Sequence, residues 1–305
     1  MGPTASGKTE TAIKVADNFS VDLVSVDSAL VYRGMNIGTA KPGDATLRKY
    51  PHRLVDTRDP EESYSAGEFV RDALTAIDEI HAARRVPLLV GGTMMYFRAL
   101  IDGIADLPEG DPATRAAIDN EAVTRGWPGL HRELEVVDPA AAARINPNDS
   151  QRIQRALEVY RLSGRRLSAW QTNTAPTRTD LVFYKIALIP EPRSVLHSRI
   201  EKRLDLMLEQ GFLDEVRDLM KRPGLTAEHP SMRAVGYRQY WRYIEGSWSR
   251  EEARSRALAA TRQLAKRQLT WLRSESDKFV LNPLETGADA AISDYLRQML
   301  VSHKN

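Results

Sequence analysis

The chain has 305 residues, 42% of them apolar and 28% charged, which suits one large or two smaller globular domains. No run approaches the 18 uninterrupted apolar residues of a membrane-spanning helix, and no charged-then-apolar leader opens the chain, so a cytoplasmic enzyme with no membrane partner is expected. There is no cysteine, which excludes disulfides, thiolate nucleophiles and cysteine zinc sites.

The net charge of +2 hides an asymmetry. Residues 1–110 carry 12 Lys/Arg against 16 Asp/Glu. Residues 151–174 carry five arginines against Glu158, and residues 233–273 carry ten Lys/Arg against three Glu. Two basic blocks behind an acidic first third suit a polyanion binder, although solvated helix faces would give the same pattern.

Gly2-Pro3-Thr4-Ala5-Ser6-Gly7-Lys8-Thr9 fits the phosphate-cradling pattern G-x-x-x-x-G-K-[ST]. Backbone N–H groups, Lys8 and the dipole of the following helix would hold a di- or triphosphate. The helix is predicted over Thr9–Phe19, where Ala12, Ile13, Val15, Ala16 and Phe19 make an apolar stripe. An apolar strand ordinarily precedes such a loop, and here Met1 alone precedes Gly2. The expectation is therefore a gap in the sheet beside the site, and a chain that folds better with a strand of about 5–6 residues restored.

Short apolar runs predict strands at Leu23–Val26, Arg53–Val55, Pro87–Val90, Lys185–Ile189 and Phe279–Leu281. Helices are predicted between them over Ser65–Arg84 and Met94–Ile101. The alternation predicts an α/β fold with a parallel sheet. From Pro112 to about Gly164 only helix starts appear, at Asp111-Pro112, Trp127-Pro128, Asp138-Pro139 and Asn148-Asp149. The expected organisation is a core over 1–107 and 179–305, interrupted by a helical insertion over 108–178. Asp102–Gly110 and Asn173–Thr179 are the expected linkers. Arg193–Met220 and Arg250–Arg273 are the longest helical segments.

Asp27 ends the first strand, where a carboxylate faces the ligand crevice of a parallel sheet. It can ligate Mg²⁺, act as a general base, or merely cap the next turn. Gly91-Gly92-Thr93 ends the third strand. Its glycines allow close backbone approach to a ligand, and Thr93 offers a cap or a hydroxyl. Gln151-Arg152-Ile153-Gln154-Arg155 puts two arginines three apart on one helix face, which suits phosphates and base edges. Arg233-Ala234-Val235-Gly236-Tyr237-Arg238 mixes guanidiniums with an aromatic and suits base stacking. An ordinary surface helix explains either segment as well. His52, His81, His131, His197, His229 and His303 show no metal-ligand spacing.

Six segments together resemble the tRNA dimethylallyltransferases (tRNA isopentenyltransferases) of bacterial type. They are Gly2–Thr9, Asp27–Pro42, Tyr50–Asp56, Gly91–Tyr96, Asn148–Tyr160 and Arg233–Gln239, in the family's order. The resemblance implies a P-loop NTPase-like fold. It also implies transfer of a dimethylallyl group from dimethylallyl diphosphate to the exocyclic amine of the adenine 3′ of the anticodon, with Mg²⁺ assisting. Gly2–Thr9 would then hold the leaving diphosphate, joined by Arg203, with Thr9 on Mg²⁺. Asp27 would be the general base, and Thr93 would position the target nucleotide. Asp27, Ser28, Ala29, Leu30, Arg115, Gln151–Arg155 and Arg233–Arg238 would contact the tRNA anticodon stem-loop, with the protein a monomer.

The chain departs from the family pattern in places. Ala29-Leu30 stands where other branches have Met-Gln, and Asn36 where Asp is usual, so a charge supporting the cleft is expected to be lost. The missing cysteines mean no zinc-finger tail. A P-loop kinase of a small metabolite or nucleotide explains the loop and Asp27 but not the basic blocks. A non-catalytic RNA binder explains the blocks but leaves Lys8 and Asp27 idle.

Overall fold

The computed structural model describes residues 1–172, 176 and 178–301. Of the expected linker Asn173–Thr179, residues 173–175 and 177 lie outside the described residues, as does His303. The described chain forms two compact units, Met1–Ala99 with Val182 onward, and Leu100–Leu181.

The first unit alternates strand and helix, beginning with α1 (Lys8–Asn18), β1 (Val21–Val26), α2 (Asp44–Lys49), β2 (His52–Arg53), α3 (Ala66–Ala82), β3 (Val86–Gly91) and the start of α4 (Met94–Ile101). α3 starts in a reciprocal cap, with the Glu68 N–H bonded to Ser65 Oγ and the Ser65 N–H to Glu68 Oε2. Its stripe Phe69, Val70, Ala73, Ala76, Ile77 and Ile80 is buried. Ala76 and Ile80 pack with Val24 of β1 and Leu89 of β3.

β1 is central, parallel to β2 and β3, with Val21 opposite Val86 and Val26 opposite Gly91. This P-loop NTPase-like parallel sheet carries the site at the ends of β1 and β3. The second strand is shorter than predicted. Only His52 and Arg53 pair, because the backbone turns to a left-handed φ of 63° at Leu54 and leaves the extended path.

The second unit, after the α4 boundary, is all helical among its described residues: α5 (Pro112–Val137), α6 (Pro139–Ala142), α7 (Ser150–Ser163) and α8 (Leu167–Gln171). Asp111, Asp138 and Asp149 cap α5, α6 and α7, each accepting a backbone N–H. α5 is broken at Gly126, whose φ of 67° leaves the helical region, and resumes through Trp127-Pro128. Ile118, Leu130, Leu134, Ile153 and Leu157 belong to its apolar core.

The first unit resumes with β4 (Lys185–Leu188), α9 (Arg193–Glu209), α10 (Phe212–Met220), a 3₁₀ turn at Ser231–Arg233, α11 (Tyr237–Ile244), α12 (Arg250–Ser274), β5 (Lys278–Leu281) and α13 (Ala288–Val301). The helix expected over Arg193–Met220 is two helices. Gly211, at φ 96°, occupies a left-handed position that side chains resist, and the chain turns there. β4 and β5 pair in parallel as a separate two-stranded ladder. Met1 extends that ladder: its N-terminal nitrogen donates to Ile186 O at 2.7 Å, and Leu188 N donates to Met1 O at 2.8 Å. Val31, Met35, Leu196, Ile200, Phe212, Tyr237 and Leu269 belong to the largest core, which packs α9–α12 under the loop after β1.

Candidate active site

The phosphate loop is wound by backbone geometry. Ala5 and Gly7 both have positive φ, 62° and 90°, and Gly7 leads into α1, accepting the Thr11 N–H at 3.0 Å. Loops of this shape make anion-binding concavities at helix N-termini. Ser6 is fully buried and its hydroxyl has no hydrogen-bond partner among the described residues.

Two cations converge on the loop. Lys8 folds back so that Nζ donates to Pro3 O at 2.7 Å. Arg203, projecting from α9, donates from Nη1 to Thr4 Oγ1 at 3.4 Å. Burial brings the Lys8 ammonium down to about 8, with the Asp27 carboxylate opposing the shift and Arg203 adding to it. Burial also lowers the Arg203 guanidinium, again against the pull of Asp27. Lys8, Arg203 and Asp27 therefore share one electrostatic neighbourhood. Two desolvated cations there favour a polyanion.

Asp27 is half-buried at the end of β1, and its Oδ1 accepts the Ala29 N–H at 2.9 Å. It thus shapes the next turn, while Oδ2 carries no hydrogen bond among the described residues. Thr93 lies across the strand ends. Its Oγ1 accepts the Ser28 N–H at 3.0 Å and donates to Ser28 Oγ at 3.3 Å. Thr93 N donates to Val26 O at 3.2 Å, so β1 and β3 are stitched together at the site.

The glycines before Thr93 serve an internal purpose. A Cβ at Gly91 would collide with the backbone of Val26, and one at Gly92 would lie 2.5 Å from Gln268 Nε2. Their close approach is to neighbouring chain rather than to a ligand. Gln268, a residue the sequence reading does not single out, donates from Nε2 to Gly92 O at 2.7 Å and accepts the Thr4 N–H on Oε1 at 2.8 Å. Its local signal is a polar side chain set in the buried stripe Ala265, Gln268, Leu269, Leu272 of α12.

The loop following Asp27 is held at two points. Lys41, its side chain 3% exposed, donates to Tyr32 O at 2.8 Å, Asn36 Oδ1 at 2.9 Å and Asp56 Oδ1 at 2.5 Å. Asn36 thus supplies a neutral acceptor, and Asp56 supplies the countercharge. Glu215 holds the other point through the N–H groups of residues 36–38.

The expected tRNA contacts divide by environment. Arg233 and Arg238 are exposed. Tyr237 is fully buried against Phe212, with ring centroids 5.0 Å apart, so it cannot stack on a base. Its helix needs an aromatic in the core, and Gly236, at φ 95°, makes the turn into it. In the helical unit Arg152 is 71% exposed, whereas Ile153 is wholly buried as a core residue. Arg155 and Arg115 both turn to the buried Glu158, at 2.6 and 2.8 Å. Gln154 donates to Asp119 at 2.7 Å, and Gln151 is exposed.

Among the described residues no group of three or more His, Asp or Glu could hold a metal by itself. Thr9 and Asp27 offer hard oxygens at the loop. That donor set fits Mg²⁺, which takes few protein ligands and keeps water and phosphate oxygens.

A parallel sheet, a phosphate loop at its strand ends and a carboxylate coupled electrostatically to two half-buried cations define a P-loop protein suited to a phosphorylated ligand. The family model described as IPP transferase matches residues 30–275. A tRNA dimethylallyltransferase of Alkalilimnicola ehrlichii is 58% identical over 275 residues, covering 90% of this chain and 86% of the relative. The crystal structure of the full-length tRNA isopentenylpyrophosphate transferase of Bacillus halodurans aligns with a TM-score of 0.71 and 35% identity, covering 99% of this chain and 95% of that one. A eukaryotic dimethylallyltransferase acting on tRNA aligns with a TM-score of 0.79 and 25% identity, over 99% of this chain and 78% of that one. The chain belongs to the IPP transferase family, whose members matched here are tRNA dimethylallyl- and isopentenyltransferases.

Proposed function

We propose that the protein transfers a dimethylallyl group from dimethylallyl diphosphate to the exocyclic amine of the adenine 3′-adjacent to the anticodon in tRNA, releasing diphosphate. The observation that carries this is the convergence of Lys8, Arg203 and Asp27 at the phosphate loop, in a chain of this family. The kinase alternative explains neither the helical unit nor the matched relatives.

In the reaction the bond between the allylic carbon and the diphosphate oxygen breaks while a carbon–nitrogen bond forms. Negative charge grows on the departing oxygen, and the loop N–H groups, Lys8 and Arg203 stabilise it there. The amine nitrogen loses a proton as it becomes bonded to carbon, and Asp27 takes it. Asp27 suits this role because Oδ1 is held by Ala29 while Oδ2 is left for the substrate. Thr93 positions the nucleotide, with the adenine flipped from its stack to reach the strand ends. Thr9 would hold Mg²⁺, which would supply further charge neutralisation to the diphosphate.

Arg152, Arg233 and Arg238 are proposed as contacts to the anticodon stem-loop, since all three residues are exposed. The loop, Asp27, Thr93 and Arg203 all come from one chain, so a monomer suffices. A tRNA substrate implies cytoplasmic work, and no helix among the described residues is long and apolar enough to cross a membrane.

The test is incubation of the protein with labelled dimethylallyl diphosphate and unmodified tRNA. Label is expected in the tRNA, and Asp27→Asn is expected to lose at least ~100-fold in rate while still binding tRNA. Consumption of ATP without tRNA, and no label transfer, would sink the proposal.

A further inference from the structure

Gln268 ties together two elements that the chain separates widely. One is the phosphate loop, reached through Thr4, and the other is the turn after β3, reached through Gly92. Each tie has a direct line to the chemistry. Thr4 Oγ1 accepts from Arg203, and its backbone belongs to the loop. Gly92 is bonded to Thr93, which grips Ser28 beside Asp27.

The side chain is well fixed for such a task. Gln268 is 8% exposed and both ends of its amide are engaged. The approach needs glycine at position 92, because a Cβ there would lie 2.5 Å from Nε2 and 3.2 Å from Gly2 O. A neutral amide is also required, for Thr4 N–H needs an acceptor and Gly92 O needs a donor. A carboxylate would satisfy the first but face the Gly92 carbonyl without a proton. A thioether of similar length would satisfy neither.

We propose that Gln268 is a positioning residue that sets the spacing between the loop holding the diphosphate and the turn holding the acceptor nucleotide. The inference rests on the transferase reading above. In that reaction the departing oxygen and the arriving nitrogen lie on opposite sides of one carbon. The loop fixes the first, and the Thr93–Asp27 edge fixes the second. A misplacement of about 1 Å between them costs on the order of 100-fold in rate. Gln268 acts through Thr4 and Gly92 and touches neither substrate.

The test compares the full-length parent with Gln268→Met and Gln268→Glu in single-turnover transfer from labelled dimethylallyl diphosphate to unmodified tRNA. Affinities for inorganic diphosphate and for tRNA are measured separately. Gln268→Met is expected to lose roughly 30–100-fold in the transfer rate, with both affinities within about threefold of the parent. Gln268→Glu carries a distinctive signature. Once protonated, its acid group donates to Gly92 O and accepts from Thr4 N–H, restoring both bonds. The ratio of its rate to the parent's is therefore expected to rise as pH falls from 8 to 6. Taking the ratio removes the titration of Asp27 itself.

A Gln268→Met rate within about threefold of the parent overturns the inference. So does a loss that tracks weakened diphosphate binding, or a Gln268→Glu ratio that stays flat with pH. If Gln268→Met does not fold, the pH ratio of Gln268→Glu decides alone. A parent that transfers nothing sinks the transferase reading itself, whereas an active parent with an indifferent Gln268→Met sinks this inference only.

Discussion

The Tyr237 hydroxyl donates to Glu215 Oε1 at 2.6 Å, and the same carboxylate accepts the backbone N–H groups of Asn36, Ile37 and Gly38 at 2.7–3.0 Å. One side chain on α10 thereby anchors the loop that follows Asp27 to the start of α11. Glu215→Ala leaves three N–H groups and a buried hydroxyl without their acceptor. It is expected to cost about 2–4 kcal/mol, against about 1 kcal/mol for Tyr237→Phe, which leaves the three backbone bonds in place. Thermal unfolding of both variants checks the order. Equal losses would show that the backbone bonds contribute little.

Lys8 gives a pH prediction for ligand binding. Burial brings its ammonium to about 8 in the free protein, so it is largely charged at pH 7 and loses its proton as pH rises through that value. A bound diphosphate favours the charged form and raises the group again. Affinity for dimethylallyl diphosphate is therefore expected to be full below pH 8 and to weaken by up to about tenfold per unit above it. Lys8→Arg, whose guanidinium stays charged, is expected to flatten that fall. Lys8→Ala is expected to cost more than ~100-fold in transfer. Calorimetric titration between pH 7 and 9.5 checks the first two, and a single-turnover assay the third.

Glu158 is the hinge of stability in the helical unit. Burial alone would raise its carboxyl, but hydrogen bonds from Arg155 and Arg115 and from the Asp111 N–H hold it below its ordinary value. A carboxyl lowered in the folded state contributes stability above its unfolded value, and that stability disappears as pH falls through the folded value. Glu158→Gln is expected to cost about 2–3 kcal/mol at pH 7, less than a fully buried pair because both arginines reach solvent. It is also expected to reduce the unit's acid sensitivity. Denaturant melts at pH 7 and pH 3 check both; a variant as stable as the parent at pH 7 would refute the assignment.

Arg152 and Arg155 are expected to behave differently although three residues apart. Arg152 is 71% exposed, so Arg152→Ala should weaken tRNA binding and reduce the slope of log affinity against log salt by about 1, with folding unchanged. Arg155 is committed to Glu158 and to Pro108 O, so Arg155→Ala should lower the melting temperature first. Identical salt slopes for parent and Arg152→Ala would remove Arg152 from the interface.

Much of the site was legible because its chemistry lies in contiguous runs. Gly2–Thr9 encodes its own loop, since a glycine is needed where φ reaches 90° and a lysine must follow it. Asp27 and Thr93 were legible as the residues ending apolar strands. The caps Asp111, Asp138 and Asp149 announced the helical unit through their position before the first helical turn. These signals are local, and local geometry follows from neighbouring residues.

Other assignments depended on partners far along the chain. Tyr237 beside two arginines reads as a stacking platform, but Phe212 and Glu215 enclose it and make it core. Gln268 reads as one polar residue in a basic helix, because Thr4 and Gly92 lie 264 and 176 residues away. By itself the sequence determined the phosphate loop, the strand-end carboxylate, the order of the five strands and the family, but not the break at Gly211 or the helices α2, α11 and α13. The tertiary structure alone decided which polar side chains remain free to meet a substrate and which are spent inside the protein. Burial and hydrogen-bond pairing are set by whichever segments meet in space, and spacing along the chain does not record that meeting.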